Sequence, residues 1–383
     1  MKKIVDFALD SDVMTGGVKL NNNFLISTDY ISGAVLRAGF ANMILLECPF
    51  YDEEINGRKY IVAHRGDRCG DCDKAEVCKK FSDMYFSFLF PKDTRYSPLT
   101  MKLCKAYGTE HPVKDIIASD AMTPSSNFKC HECEGANGRI ENMKGLINIK
   151  TYKQHKVRRS ISTHTAINYN TRTIRDNSLF QIDAIKKGQV YSGIIDDKGS
   201  GLLAEGLTIY AGKYSSNGYG KLTIKKITDY IPKSVGEKVK QFNSRFNFSN
   251  GKSYAAILFL SDAKIFNEQQ EGGILRNDDY LDMWKKNIFG SAEGINIEKV
   301  FAQNFTYRGY DTSSTSGKWQ KQAEIHTQMG SSFLISYDNA NSDAIIKILD
   351  DMERNGVGKD TEVGYGQIEV CSNLHMIGVD RHD

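Results

Sequence analysis

A glycine-rich, basic turn occurs twice in this chain and constrains its fold more than any other feature. The first copy reads Gly-Lys-Tyr-Ser-Ser-Asn-Gly-Tyr-Gly-Lys, Gly212 to Lys221. The second lies within Gly-Val-Gly-Lys-Asp-Thr-Glu-Val-Gly-Tyr-Gly-Gln, Gly356 to Gln367. Each precedes an alternating, strand-like run, Leu222-Thr223-Ile224 and Ile368-Glu369-Val370. Glycine lets backbone approach another surface closely and accepts positive φ, so such a loop can turn its N–H groups toward an anion. A single Gly-Tyr-Gly before a strand is ordinarily a tight turn. Two copies predict two versions of one module, each offering backbone donors to a phosphate chain.

A chain of 383 residues is long for one domain and sufficient for two, each with its own core. The N-terminal Met-Lys-Lys-Ile-Val-Asp-Phe lacks the apolar core of a signal peptide and reads as the start of a strand. No apolar run approaches the roughly 20 residues that span a bilayer. The expectation is a cytoplasmic protein.

The net charge of +3 says little, but its distribution says more. Lys144 to Asp229 holds fifteen Lys or Arg against six Asp or Glu, a local +9 that leaves −6 for the remainder. Lys150, Lys153, Lys156, Arg158, Arg159, Arg172 and Arg175 follow one another with no acid between them. Such a stripe is the electrostatic footprint of a polyanion site.

Residues 1–63 read as strand, loop, helix and strand, with the helix starting at Ser32. A Cys-rich, Pro-bearing insertion is expected from about 64 to 145. Pro232 to Gly251 has the composition of a polar connector. A second strand is expected at Tyr254–Leu260, an ordered loop with Trp319 at Tyr307–Gln322, and a strand at Phe333–Tyr337. Ser342 to Asn355 predicts a helix capped by Ser342, with Ile345, Ile346, Leu349 and Met352 on one face and Gly356 as its stop. The fold class read from this is α+β: two ferredoxin-like (RRM-like) domains, 1–235 and 250–383, the first carrying the Cys-rich insertion. Such a sheet exposes one face, which suits RNA.

Six of the eight cysteines fall between Cys69 and Cys133, and in a reducing compartment such clustering points to metal. Two groupings are open. Cys130-x-x-Cys133 with Cys104 and His111 makes a closed, structural zinc set. Cys69-x-x-Cys72 with Cys78 needs a fourth ligand such as His64. The expected cofactor is structural Zn²⁺, a staple for an insertion with little core.

Catalytic candidates are few. His164 lies in the basic stripe and can serve acid–base chemistry, or stack on and hydrogen-bond RNA. Asp29 is the carboxylate nearest the first helix. The C-terminal His375, Arg381, His382 and Asp383 form no constellation. On the RNA-binding reading, amides of Gly212–Gly220 and Gly356–Gly366 hold phosphates together with Lys213, Lys221 and Lys359. Arg37, Arg158, Arg159 and Arg172 add charge, and Tyr219 and Tyr365 stack on bases or pack their loops.

Several stretches together resemble the RAMP superfamily, the repeat-associated subunits of CRISPR effector complexes, and most of all the two-RAMP subunit of type III-D systems. Tyr30-Ile31-Ser32-Gly33-Ala34-Val35-Leu36-Arg37 is similar to the family's "YIPGSSLRG" helix start, with Ser32 in place of proline. Ser97-Pro98-Leu99-Thr100, then Cys104 and His111-Pro112-Val113-Lys114-Asp115, resemble the segment preceding a Cys-x-x-Cys in that subunit. Thr163-His164-Thr165-Ala166-Ile167-Asn168, with Arg172-Thr173 and Leu179-Phe180, resembles its "THTAI…T…LF" strand pair. Met329-Gly330-Ser331-Ser332-Phe333 resembles "aGSvf", and the glycine loops at Gly212, Gly218, Gly220 and at Gly356, Gly358, Gly364, Gly366 resemble the superfamily signature.

The resemblance implies a type III ribonucleoprotein in antiviral defence. The subunit would cap the 5′ tag of a CRISPR RNA and join a large signalling or nuclease subunit to backbone RAMP subunits. Target RNA would be met indirectly and no membrane is involved. The resemblance extends the RNA-facing set to Ser32, Gly33 and Thr165. Target-cleaving members carry an aspartate upstream, where Asp10 and Asp12 lie without the surrounding motif. A non-catalytic subunit is favoured over the alternative, a RAMP endoribonuclease that cleaves target RNA or processes the guide.

Overall fold

The computed structural model describes residues 1–16, 18–20, 24–118, 129–130, 132–133, 138–167, 170–246, 248, 251–265, 277–290, 294–310 and 320–378. Asn168, Trp319, Arg381, His382 and Asp383 lie outside these. The architecture is mixed α+β, built on two antiparallel sheets.

In the first sheet Lys3–Leu9 lies between Lys221–Asp229 and Val190–Asp196; Tyr85–Phe86 and Phe90–Pro91 pair on the far side of Val190–Asp196, and Thr208–Tyr210 on the other edge. In the second sheet Lys252–Phe259 lies between Ile368–Val370 and Ser332–Asp338, with Asn296–Phe301 at the edge. Counting main strands by chain position within each half, both sheets read fourth, first, third, second. Strands alternate between buried and polar faces, so each sheet gathers one core. Val5, Phe7, Leu36, Phe40, Phe86 and Tyr191 anchor the first, and Ile257, Phe259, Phe333, Ile335, Leu349 and Val370 the second.

The first helix, Gly33–Leu46, starts as expected: the Ser32 hydroxyl accepts the Val35 amide. No strand follows it before Tyr85, contrary to the reading of residues 1–63. The helix Ser342–Asn355 has the expected bounds and buries Ile345, Leu349 and Met352, but its cap residue is Asn341 rather than Ser342.

Two expectations are corrected. The polar connector contains a helix, Val235–Phe246, whose Val235, Val239 and Phe242 are buried in the second core. Their spacing, continued by Phe246, is a helical stripe that averaging over a polar window hides. This helix belongs with the second sheet, so a boundary at 235 falls inside its start.

The segment 64–145 is likewise not one insertion. Met84, Phe86, Leu89 and Phe90 are buried, and Tyr85–Pro91 supplies the edge of the first sheet. The remaining Cys-rich part forms a small sheet of Met101–Cys104 with Lys114–Asp115 and Ile140–Asn142. Met101, Leu103, Val113 and Met143 pack against Leu258 and Leu374 of the second half, so this part shares a core rather than lacking one.

Candidate nucleic-acid interface and metal centre

The two glycine loops are copies of one structure. Tyr214 and Asp360 adopt left-handed φ of 61° and 57°, a single 3₁₀ turn follows, and Gly218 and Gly364 close it at φ 88° and 79°. Only residues tolerant of positive φ suit these closing positions. The bonds that tie each loop to its first strand repeat too. Gly220 donates to the Asp12 carbonyl and Gly366 to that of Asp262, both at 2.8 Å. Lys213 donates to the Met14 carbonyl at 2.7 Å and Lys359 to that of Lys264 at 3.0 Å. Most loop amides are thereby used within the protein. In the first loop, those of Tyr214, Ser215 and Ser216 have no partner among the described bonds.

The surroundings of the two loops diverge. The first lies against a long hairpin, Arg159–Ile167 with Ile174–Ile185, in which His164 faces Phe180 and Thr165 faces Leu179 across the strands. This matches the expected strand pair. The His164 ring stacks on Phe180 with centroids 5.3 Å apart, and its Nε2 lies 2.9 Å from the Ser162 hydroxyl and 3.1 Å from that of Tyr219. Tyr214 stacks against Phe180 at 6.2 Å. Lys213, Ser215, Ser216, Asn217 and Gly218 are exposed, as are Arg158, Thr165 and Arg172 on and beside the hairpin. Ile161, Ile167 and Leu179 are 64, 62 and 61 % exposed, so its outer face carries apolar as well as polar groups.

Not every basic residue of the stripe is free to serve a ligand. Arg159 holds the Ser27 carbonyl through two bonds of 2.9 Å and pairs with Asp29, which accounts for both groups structurally. Arg158 donates to the Gly188 carbonyl at 2.8 Å. Lys150 pairs with Asp93 at 2.8 Å. The amide of Lys221 donates to the Ser11 hydroxyl at 2.9 Å.

The second loop is built into the junction between the two halves. The Val363 carbonyl abuts Gly33, where a Cβ would come within 2.2 Å of its oxygen. Tyr365 meets Phe88 edge-on at 5.2 Å, and the Tyr30 hydroxyl donates to Asp262 at 3.2 Å. Burial pushes the Tyr365 hydroxyl well up and raises the Asp262 carboxyl to about 6. Lys264 lies 4.6 Å over the Tyr365 ring and pairs with Asp360 and Glu324; the buried His326 lies 3.3 Å from Glu324. Acids thus answer the cations around this loop. Ser32, Gly33 and Arg37 belong to its neighbourhood rather than to the hairpin, and Arg37 donates to the Phe81 and Ser82 carbonyls at 3.3 Å. Sequence reading missed the Tyr30–Asp262 junction. The signal was Ser261-Asp262 repeating Ser11-Asp12 ahead of the second loop.

The metal set is clear. The donor atoms of Cys104, His111, Cys130 and Cys133 lie within 4.8 Å of one another. Cys104 and Cys133 sulfurs are 3.5 Å apart, and His111 Nδ1 is 3.2 Å from Cys130 Sγ and 3.7 Å from Cys133 Sγ. A tetrahedral ion with bonds of about 2.0–2.3 Å needs ligand edges of about 3.3–3.8 Å, so these four can hold one metal ion. Cys104 ends a strand, Tyr107 stacks on His111 at 4.4 Å, and the Cys130 amide donates to the Gly138 carbonyl at 2.9 Å. Among the described residues Cys69, Cys72 and Cys78 do not reach that spacing, though burial and the neighbouring Cys72, Cys48 and Cys69 thiols push the Cys78 thiol up to about 11. Cys69 is buried and takes the Arg65 amide at 3.4 Å, Cys72 is exposed, and His64 accepts the Gly66 amide at 3.2 Å. Among the described residues no helix is long and apolar enough to cross a membrane.

No protein-family model and no curated protein matches the chain. Solved structures do. A chain of the type III-B Cmr-beta complex bound to cognate target RNA and AMPPnP is similar at 12 % identity and a TM-score of 0.41, over 91 % of this chain and 88 % of that one. A chain of the same complex bound to cognate target RNA alone gives 10 %, 0.41, 90 % and 89 %. A chain of its apo state gives 8 % and 0.31 over 59 % of this chain and 96 % of that one.

Proposed function

We propose that this chain is a non-catalytic, RNA-binding subunit of a type III CRISPR ribonucleoprotein effector in the cytoplasm. It comprises two ferredoxin-like RAMP domains and a zinc-stapled segment, caps the 5′ tag of the CRISPR RNA and links neighbouring subunits. The order of the sequence motifs supports the family. The observation that carries RNA binding is the first loop beside the long hairpin. Amides of Tyr214–Ser216 without described partners and the exposed Lys213 lie beside the aromatic set His164, Phe180 and Tyr219, and the exposed Arg172 lies at the hairpin turn. Phosphates take the amides and cations, while flat rings offer bases a stacking surface.

The half-buried His164, held by Ser162 and Tyr219, and the Arg159-paired Asp29 favour binding over cleavage. His164 touches Ser162 and Tyr219, with no carboxylate or lysine among its described partners. Four protein donors at the metal leave no open position for activated water.

The test is to express the chain with its genomic neighbours and sequence the bound nucleic acid. A discrete short RNA with a fixed 5′ end, lost in a Lys213→Ala/Arg172→Ala variant, supports the reading. Absence of such RNA, or RNA cleavage that His164→Ala abolishes, overturns it.

A further inference from the structure

The two loops share a backbone but not a fate. A Cβ on Gly364 would come within 2.7 Å of the Phe86 carbonyl oxygen, 2.8 Å of Ser87 Cα and 2.9 Å of the Phe88 nitrogen; at Gly218 nothing lies within 4 Å. Gly364 is buried and Gly218 exposed. The second loop is thus a finger seated in a socket formed by the edge strand Tyr85–Phe86 and the glycine that begins the first helix. The first loop is the same finger, with Asn217 and Gly218 in the places of Val363 and Gly364, standing free.

We propose that the first loop is a protein-docking finger. Its occupant is a separate polypeptide carrying the same class of module, which offers an edge strand beside a helix that begins on a small residue. Among the described residues, a second copy of this chain does not supply that socket. Its Gly33 socket is filled by its own second loop, and the corresponding edge of its second sheet, Asn296–Phe301, is flanked by the Cys-rich segment. There Lys299 donates to the Ile117 carbonyl at 3.1 Å, and Ile117 is fully buried in the second core. The contact is heterologous, finger to socket, so it propagates along a row of modules as the internal contact already does between the two halves. The docking edge is Asn217–Gly218; Lys213 and the amides of Tyr214–Ser216 sit on the earlier part of the loop. The inference rests on the reading above only in that a neighbouring subunit exists.

The experiment uses the full chain co-expressed with the proteins encoded beside it. A photo-crosslinking benzoylphenylalanine replaces the exposed Asn217, and the crosslinked peptides are read by mass spectrometry. The expected product joins this residue to a helix-start or edge-strand peptide of a different chain. Gly218→Asn keeps a residue that tolerates left-handed φ and has room for its side chain, so the chain stays folded. It should cut partner retention at least about tenfold, the loss of one closely packed contact. Gly364→Asn, by contrast, lowers the melting temperature of the isolated chain. Crosslinks to RNA alone, to another copy of this chain or to nothing overturn the proposal, as does full retention of the partner by Gly218→Asn. RNA affinity, measured separately by gel shift, tests the functional reading: its loss with the crosslink intact defeats that reading and leaves the finger standing.

Discussion

Ser11 and Ser261 perform one task in the two halves of the chain. Each hydroxyl accepts the amide at the end of its glycine loop, from Lys221 and from Gln367, both at 2.9 Å. Two side chains far apart in sequence thus lock two loops onto two first strands in the same way. A bond repeated in this detail argues that the halves are versions of one module. Their surroundings differ: one loop is wedged at the junction of the two halves, the other lies against the hairpin with Asn217 and Gly218 exposed.

The junction at Asp262 makes stability depend on pH. Burial raises this carboxyl from the usual carboxylate range to about 6 in the folded chain. The native state therefore holds a proton that the unfolded chain releases, and stability falls as pH rises from about 4 to 6. The cost is on the order of 2–3 kcal/mol for a shift of this size. Denaturant unfolding across that range should show the decline in the native chain and its absence in Asp262→Asn.

Glu353 is the next weak point. It holds Lys238, and both side chains are largely buried; it also accepts the Val370 amide at 2.8 Å. Removing it in Glu353→Ala strands a buried ammonium and a strand amide together. The expected loss is about 3–5 kcal/mol, measured by urea unfolding. Lys238→Met with Glu353→Leu should recover much of it.

Metal analysis distinguishes the two cysteine groups. The purified chain should carry one zinc by elemental analysis, and Cys133→Ser should lose it. Cys72→Ser should keep it. Chelation should lower the melting temperature, because the four donors belong to a segment packed against Leu258 and Leu374 of the second half.

RNA contacts should separate from stability. Arg172→Ala, at an exposed hairpin turn, should weaken binding to single-stranded RNA and reduce the salt slope by about one ion. Its melting temperature should not move. Arg159→Ala should lower the melting temperature first, since Arg159 ties Ser27 and Asp29 together.

Much of this architecture was legible in the sequence. The duplicated loops, the start of the first helix at Ser32 and the Cys104–His111–Cys130–Cys133 set rest on local chemistry that spacing reveals, whereas the strand pair around His164 and Phe180 is carried by the family resemblance. The helix Val235–Phe246 was hidden because its charged residues dominate the average while its four apolar residues carry the packing. The edge strand Tyr85–Pro91 was hidden by surrounding cysteines and prolines that suggested one continuous insertion. Nor could spacing tell which loop would be covered. Gly218 and Gly364 read alike, and only the partner strand at Phe86–Phe88 distinguishes them.

The placement of Asp115 carries a consequence for the end of the chain. Its carboxylate accepts the Thr100 hydroxyl and lies 3.2 Å from His375, while its amide bonds the Ile377 carbonyl at 3.1 Å. The turn Asn373–Met376 is thereby latched to the strand four residues past His111, one of the four donors that can hold a metal ion. Oxidising the Cys104, Cys130 and Cys133 sulfurs would loosen the turn Asn373–Met376, so proteolytic cleavage near that turn reports on the redox history of a site far upstream in sequence.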